Sequence, residues 1–240
     1  MSEHRDSTDD SDAAGFVLAG GQSSRMGRDK ALLPFAGRPL IDRALSILRE
    51  AGLLAAIAGL PPDRSMSAGQ SARDNPQANG AIATFASVVD DSEPGLGPLA
   101  GICAALAASS ARFAVILPVD LPLLPPRLIV YLLRRARITA AAVTLPSVNG
   151  FAQTFPVVLD RSTLPALQDE LHSERRGCFS AFQAAASRLG QPMAHVAAEL
   201  LAQAGQVSHP LGLPPIRWFL NVNSPQDLHR AEALIARAIA

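Results

Sequence analysis

Short apolar runs alternate with amphipathic segments along most of this chain. The apolar runs have little polar interruption and are flanked by Gly, Pro or Asp, which is typical of buried β-strands. They predict strands in GFVLAGG, LLAAIAG, FASVVDD, FAVILPVD, AAAVTLP and WFLNVN. Between them, apolar positions recur three and four residues apart, which predicts helices. The helical segments are RPLIDRALSILREAG, GPLAGICAALAAS and PPRLIVYLLRRA. Strands that alternate with helices predict an α/β fold, with a mostly parallel central sheet and helices on both faces.

Two stretches fall outside this pattern. Residues 1–14 are polar, acidic and without periodicity, and we interpret them as a disordered tail. Residues 61–80 are polar and contain Pro and Gly, which indicates a loop. No internal repeat and no linker divides the rest of the chain. We therefore predict one domain over residues 15–240.

The composition of the chain argues against some classes of binding partner. The 240 residues carry 21 basic and 21 acidic side chains, so no net charge attracts nucleic acid or an anionic membrane. No apolar run approaches the ~18 residues that a membrane-spanning helix needs. Cys103 and Cys178 lie far apart without metal-ligand spacing, which favours core packing in a reducing compartment. We therefore expect a cytoplasmic protein that binds neither nucleic acid nor membranes.

Polar or flexible residues follow several of the predicted strands. Ligands bind at the carboxyl ends of strands in sheets of this kind. The residues at those ends are Gly20, Gly21, Asp91, Asp120, Asn221 and Asn223. Taken singly, an Asp or Asn after a strand is more typical of a turn or a helix cap. Together with a basic, Gly-rich loop, the set favours a site for a polyanion.

That loop, GGQSSRMGRDK, contains Lys30, the only lysine among 21 basic side chains. It has neither the GK[ST] of a Walker A loop nor GxGxxG spacing. Its glycines expose backbone N–H groups, Ser23 and Ser24 add donors, and Arg25 and Lys30 supply positive charge. A compact ammonium can follow a moving phosphate where a planar guanidinium is too large. A surface ion pair of Lys30 with Asp29 or Asp42 stays open as the alternative.

Four motifs resemble one known family. LAGGQSSRMGRDKALLPFAGRPLI resembles the signature of the molybdenum cofactor guanylyltransferases, the MobA family. Its companions, in the family's order over roughly residues 15–235, are VVDDSEPGLGPLAGI, LPVDLPLLPP and FLNVNSPQDL. The resemblance implies a Rossmann-like domain of the nucleotide-diphospho-sugar transferase type. It also implies transfer of GMP from GTP to molybdenum-bound molybdopterin, with pyrophosphate released.

The resemblance also implies roles for individual residues. Arg25, Lys30 and Asp120 would be catalytic, and Asp120 would bind Mg²⁺ as the cofactor. The nucleotide would contact Lys30, Asp120, Asp91 near the nucleoside, and the backbone of Leu18, Ala19, Gly20 and Gly21. Asn221 and Asn223 are candidates for the metal shell or for acceptor contact. Since Ser224 and Asp227 could cap the next helix, a purely structural role for the two asparagines stays open.

The sequence departs from the family at three places. AIAGLPPDR lacks an asparagine that relatives often carry near the nucleotide, and Gln153 stands where relatives have a histidine. The stretch QPMAHVAAELLAQAGQVSHPLGLPP is extra length before the last predicted strand. These departures affect recognition of the acceptor more than the nucleotide site.

Three functions are compatible with these motifs. A guanylyltransferase is favoured because residues 18–21 read LAGG, whereas cytidylyl and sugar-phosphate relatives usually read LAAG. A molybdopterin cytidylyltransferase or a sugar-phosphate nucleotidyltransferase is the alternative. A non-catalytic molybdopterin carrier would have lost Lys30 or Asp120, and both are present. The partners implied are GTP and the molybdenum cofactor, together with transient contacts to molybdenum-insertion proteins and molybdoenzymes.

Overall fold

A computed structural model of the protein describes residues 12–19, 30–60, 86–91, 93, 95–173 and 177–239. The predicted loop over residues 61–80 and most of the predicted tail lie outside these ranges. The first strand begins two residues earlier than the predicted domain, so Ala13 and Ala14 belong to the sheet. Asp12, just before it, accepts hydrogen bonds from the Arg137 guanidinium.

Within the described residues, eight strands form one mixed sheet and two more form a small hairpin. The hairpin strands are β2 (Pro34–Phe35) and β3 (Arg38–Pro39). The sheet strands are β1 (Ala13–Leu18), β4 (Ala55–Leu60), β5 (Val88–Asp90), β6 (Phe113–Pro118), β7 (Val143–Val148), β8 (Phe151–Ala152), β9 (Val157–Asp160) and β10 (Met193–Ala197). Their order across the sheet is β10-β7-β9-β6-β1-β4-β5, and β8 pairs with β7.

The helices alternate with these strands, as the sequence predicts. They are α1 (Leu40–Glu50), α2 (Pro98–Ala108), α3 (Pro126–Thr139), α4 (Leu164–Leu171), α5 (Cys178–Arg188), α6 (Ala198–Gln203), α7 (Pro215–Trp218) and α8 (Pro225–Ile239). Short 3₁₀ turns cover Lys30–Leu32 and Arg161–Thr163. None of the described helices is long and apolar enough to cross a membrane.

The sheet is buried on both faces because successive residues of its central strands point to opposite sides. Val17 and Leu117 pack into one cluster with α1 and α3. Phe16 and Ile116 pack into a second cluster with α2, α4 and α5. The predicted α/β fold, with helices on both faces of a mostly parallel sheet, is confirmed.

Most of the strands run in one direction, which brings their carboxyl ends to one edge. β1 pairs in parallel with β4 and β6, β4 with β5, and β7 with β10. The exceptions are β9, which lies antiparallel between β6 and β7, and β8, which pairs antiparallel with β7. The carboxyl ends of β1 and β6 are adjacent, and this edge carries the candidate site.

Two predicted element boundaries are wrong in ways that matter for the site. The strand predicted as FAVILPVD ends at Pro118, so Asp120 lies in the turn beyond it. WFLNVN is not a strand: it begins in the last residue of α7 and continues as irregular chain to residue 223. Val222 in this segment joins a third apolar cluster with Phe35, Leu40 and Leu123, which holds the carboxyl-terminal region against the sheet edge.

Candidate functional site

The side chain of Lys30 joins two distant parts of the chain. Its Nζ lies 2.9 Å from Oδ2 of Asp120 and 2.6 Å from Oδ1 of Asn223. The partners are 90 and 193 residues away in sequence. Lys30 begins the short 3₁₀ turn that leads into the β2–β3 hairpin. The structure thus brings together three of the residues that the sequence singled out.

Asp120 is positioned by backbone hydrogen bonds on both sides. The Val119 N–H donates to the Leu18 carbonyl over 3.2 Å, which extends the pairing of β1 with β6 beyond the strand end. The Val222 N–H donates to the Asp120 carbonyl over 2.9 Å. Because both bonds involve the main chain, the aspartate backbone is fixed relative to the sheet and to the segment that carries Asn223.

Asn223 immediately precedes the cap of α8. The Ser224 hydroxyl accepts from the Asp227 N–H, and the Asp227 carboxylate accepts from the Asn223 N–H over 3.1 Å. Hydrogen bonds from Ser224 and from the Asn223 backbone lower the pKa of the Asp227 carboxyl. The predicted capping pair is therefore confirmed. Only the backbone of Asn223 takes part in it, and its side chain is directed to Lys30.

The charge of Asp120 is balanced by a residue distant in sequence. Lys30 pairs with Oδ2 of the Asp120 carboxylate. Oδ1 of Asp120 is buried and accepts no hydrogen bond from the described residues. The Lys30 and Asp120 side chains are only 17% and 21% exposed. An oxygen buried without a donor is costly, and it marks a position suited to a cation or another donor.

The structure also decides between partners for Lys30. Asp42, the alternative that lies within the described residues, accepts from Arg38 Nε over 2.7 Å, four residues earlier. Asp29 lies outside the described residues. Lys30 therefore pairs across the sheet edge with Asp120, and the ion pair of Asp42 is a local one at the start of α1.

Two residues that sequence reasoning missed brace the turn after Asp120. Arg43 Nε donates to the Pro122 carbonyl over 3.0 Å, and His209 Nε2 donates to the Leu123 carbonyl over 3.0 Å. Burial is the main cause that lowers the pKa of Arg43. Arg43 is half-buried at the edge of the apolar face of α1, and that position was the available signal. His209 lies in the extra length before α7, for which the family pattern offered no guide.

The nucleotide-loop residues are only partly described. Gly20, Gly21 and Arg25 lie outside the described residues. The Ala19 N–H donates to the Ala58 carbonyl over 3.0 Å, and the Leu18 carbonyl accepts from Val119. Those two groups are engaged in the sheet. Contact of the Leu18–Gly21 backbone with a base stays a prediction.

Asp91 and Asn221 do not join the lysine cluster. Asp91 follows the edge strand β5, is 5% exposed, and accepts from the Glu93 N–H over 2.9 Å in a local turn. Asn221 is exposed and makes no hydrogen bond to Lys30 or Asp120 in the described part of the chain. Gln153 Nε2 donates to the carbonyl of Phe151 on β8. The site roles predicted for Asp91 and Asn221 stay predictions.

Helix α2 approaches the same sheet edge closely through Gly101. A Cβ at Gly101 would lie 2.8 Å from the Gly59 Cα and 3.3 Å from Leu18 Cδ2. Real Cβ atoms do not approach a backbone atom so closely, so glycine permits this packing. The GPLAG sequence therefore has a structural reason, since it seats the start of α2 against the ends of β1 and β4.

Comparison with known proteins agrees with this architecture. Residues 15–189 match the model of the MobA-like NTP transferase domain. The molybdenum cofactor guanylyltransferase of Rhodobacter capsulatus is 31% identical over 222 residues, which cover 91% of this chain and 94% of that protein.

Two solved structures share the fold. Molybdopterin-guanine dinucleotide biosynthesis protein A from Archaeoglobus fulgidus superimposes with a TM-score of 0.71 at 18% identity, covering 93% of this chain and 99% of that one. A Mycobacterium tuberculosis protein solved in complex with manganese has a TM-score of 0.56 at 19% identity and covers 92% and 98% of the two chains. The family match over residues 15–189 and the Rhodobacter capsulatus relative show that this chain belongs to the MobA-like NTP transferase family.

Proposed function

We propose that this protein transfers GMP from GTP to molybdenum-bound molybdopterin, releasing pyrophosphate and forming the molybdopterin guanine dinucleotide cofactor. The observation that carries the proposal is the contact of Lys30 with Asp120 and Asn223 at the carboxyl edge of the sheet. It joins three family motifs into one charged site. The names of the relatives support the choice of acceptor and nucleotide.

The reaction brings two polyanions together. A phosphate oxygen of the acceptor attacks the α-phosphorus of GTP, and the bond from that phosphorus to the oxygen bridging to the β-phosphate breaks. The leaving pyrophosphate takes the electron pair. No general base is needed, because the attacking phosphate is already ionised at neutral pH. Neutralising charge and aligning the two phosphates are therefore the main tasks of the protein.

The residues of the site suit those tasks. Lys30 would stabilise the pentavalent centre and the departing pyrophosphate, with Arg25 as a second cation. The braced turn after β6 holds Asp120 in a fixed position. Asp91 would lie near the nucleoside, and Asn221 would contact the acceptor. Delivery of the product to molybdenum-insertion proteins and molybdoenzymes completes the proposal.

The donor set fits a divalent cation, and we assign Mg²⁺. Oδ1 of Asp120 is a buried carboxylate oxygen without a described donor, and Asn223 adds an amide oxygen on the same cluster. Mg²⁺ prefers hard oxygen ligands and is usually held by one or two carboxylates plus substrate phosphates. The described residues contain no group of three His, Cys, Asp or Glu that would form an all-protein metal cage. When bound, Mg²⁺ would offset the charge of the phosphates.

Guanine is the base that the sequence favours. The second glycine of LAGG removes a methyl group beside the strand end, which gives a purine with its exocyclic amino group room against the backbone. The test is incubation of the pure protein with Mg²⁺, molybdopterin or its molybdenum form, and each of the four nucleoside triphosphates. GTP should be consumed with release of pyrophosphate, and CTP should be a poor substrate. Equal or faster incorporation of CMP would overturn the guanylyl assignment.

A further inference from the structure

The ammonium of Lys30 contacts the side chains of both candidate metal ligands. It lies within 3 Å of one carboxylate oxygen and one amide oxygen, Oδ2 of Asp120 and Oδ1 of Asn223. Hard oxygens of this kind are also the protein ligands of Mg²⁺. The ammonium and a divalent cation would thus bind to the same two side chains. The single negative charge of Asp120 cannot neutralise both cations.

We propose that Lys30 is a resident cation that must leave Asp120 and Asn223 before a divalent metal binds there, so that metal and nucleotide bind cooperatively. This inference rests on the metal site of the proposed function. Without nucleotide, the pair of Lys30 and Asp120 is neutral and attracts a metal weakly. Nucleotide phosphates give the ammonium a second set of partners, and its departure frees the Asn223 oxygen for a metal held beside Oδ1 of Asp120.

The geometry allows such an exchange. Main-chain hydrogen bonds at Val119, Val222 and the cap of α8 fix the backbone on which the Asp120 and Asn223 side chains stand, and these bonds do not involve the lysine. Lys30 is held at the site by its side-chain tip, on a flexible four-carbon stem. Because metal and ammonium repel each other at close range, their occupancies of this point are alternatives.

Exchange with a metal ion also accounts for the single lysine of the chain. An ammonium is a compact point charge and fits between the Asp120 and Asn223 oxygens, which it contacts at 2.9 and 2.6 Å. A guanidinium is planar and spreads its charge over a fork of donors, so it pairs well with Asp120 yet substitutes poorly for a metal ion. All the other 20 positions that carry lysine or arginine have arginine.

The test measures binding of Mn²⁺ rather than turnover. Mn²⁺ prefers the same oxygen ligands as Mg²⁺, and electron paramagnetic resonance reports its free concentration. For the unsubstituted protein we expect weak Mn²⁺ binding in the absence of nucleotide. With a GTP analogue that has a methylene between the α- and β-phosphorus, binding should be at least about tenfold tighter after the Mn²⁺ bound by the analogue without protein is subtracted. In Lys30→Met, Mn²⁺ binding without nucleotide should tighten at least about fivefold, and the coupling to nucleotide should shrink.

The controls separate this inference from the proposed function. Arg38→Met removes a cation that pairs with Asp42 and should change Mn²⁺ affinity by less than about twofold. Asp120→Ala should abolish the site with and without nucleotide. If Lys30→Met left nucleotide-free Mn²⁺ affinity unchanged or weaker, the inference would be overturned. Lys30→Gln, neutral but still a donor, gives the same comparison if Lys30→Met folds poorly. The nucleotide-free measurement needs neither GTP nor acceptor, so failure of GMP transfer leaves it intact.

Discussion

Replacing Lys30 by arginine keeps the charge and changes only its shape and position. The lysine Nζ lies 2.9 and 2.6 Å from its two oxygens, and its side chain is 17% exposed. A guanidinium can still pair with the carboxylate of Asp120. It is too wide to place one point charge between Asp120 and Asn223 and then to follow the phosphates. The folded protein should therefore tolerate the change while the reaction does not.

The expected magnitude follows from one misplaced contact. A hydrogen bond to a charged group contributes about 1.5–3 kcal/mol, and ~1.4 kcal/mol corresponds to tenfold in rate. Loss of one such contact to a phosphate in the transition state predicts at least about tenfold slower turnover for Lys30→Arg. The free energy of unfolding should change by no more than about 0.5 kcal/mol, because the ion pair with Asp120 is retained.

The assay is pyrophosphate release from GTP with saturating acceptor, together with thermal unfolding of the ligand-free protein. Arg38→Lys is the matched control, because it exchanges arginine for lysine in the ion pair with Asp42. The Arg38 side chain in that pair is 55% exposed. That variant should keep both its turnover and its stability. Unchanged turnover in Lys30→Arg would refute the argument and leave the lysine without a function that requires its shape.

Three further predictions concern other parts of the structure. Asp120→Ala should abolish turnover in Mg²⁺, and its circular dichroism spectrum should show an intact fold. The control variant Asp42→Ala should keep its activity. A near-normal rate in Asp120→Ala would rule out the assignment of Asp120 as a metal ligand. Gly101→Ala should lower the free energy of unfolding by about 1–2 kcal/mol, because overpacking against Gly59 outweighs the gain in helix propensity. Denaturant titration measures this change, and an unchanged midpoint would contradict the close contact. The His209 ring accepts a hydrogen bond from the Leu211 N–H at Nδ1 and donates one to the Leu123 carbonyl from Nε2. Burial lowers the pKa of His209. The neutral ring therefore stabilises the fold fully above pH ~6.5, and this stabilisation decreases as the pH falls below that value. Unfolding of the unsubstituted protein and of His209→Gln should therefore differ more at pH 7.5 than at pH 5.5, and a constant difference would argue against the buried neutral imidazole.

Local features of the site could be predicted from the sequence because they depend on neighbouring residues. The cap of α8 follows from Ser224 and Asp227, three positions apart. The buried strands follow from uninterrupted apolar runs. The special status of Lys30 follows from composition alone, since every other basic side chain is arginine.

The rest depends on contacts between distant residues, which no local pattern encodes. The antiparallel strand β9 has the same apolar character as its parallel neighbours, so its direction is set by the path of the chain rather than by its residues. WFLNVN is apolar enough for a strand, yet Trp218 and Val222 are buried by packing against other elements instead of by pairing in the sheet. The pairing of Lys30 with Asp120 could not be predicted from the sequence, because the two residues are 90 positions apart and meet only in the folded protein.

The long separation between the partners of Lys30 has a consequence for synthesis on the ribosome. Asp120 is made 90 residues after Lys30, and Asn223 is made 193 residues after it. At ~5–20 residues per second, about 10–40 s pass between translation of the lysine and translation of the asparagine. During the later part of that interval the nascent chain already contains the cation that neutralises its aspartate. The ion pair of Lys30 with Asp120 can therefore form before the last helix is translated.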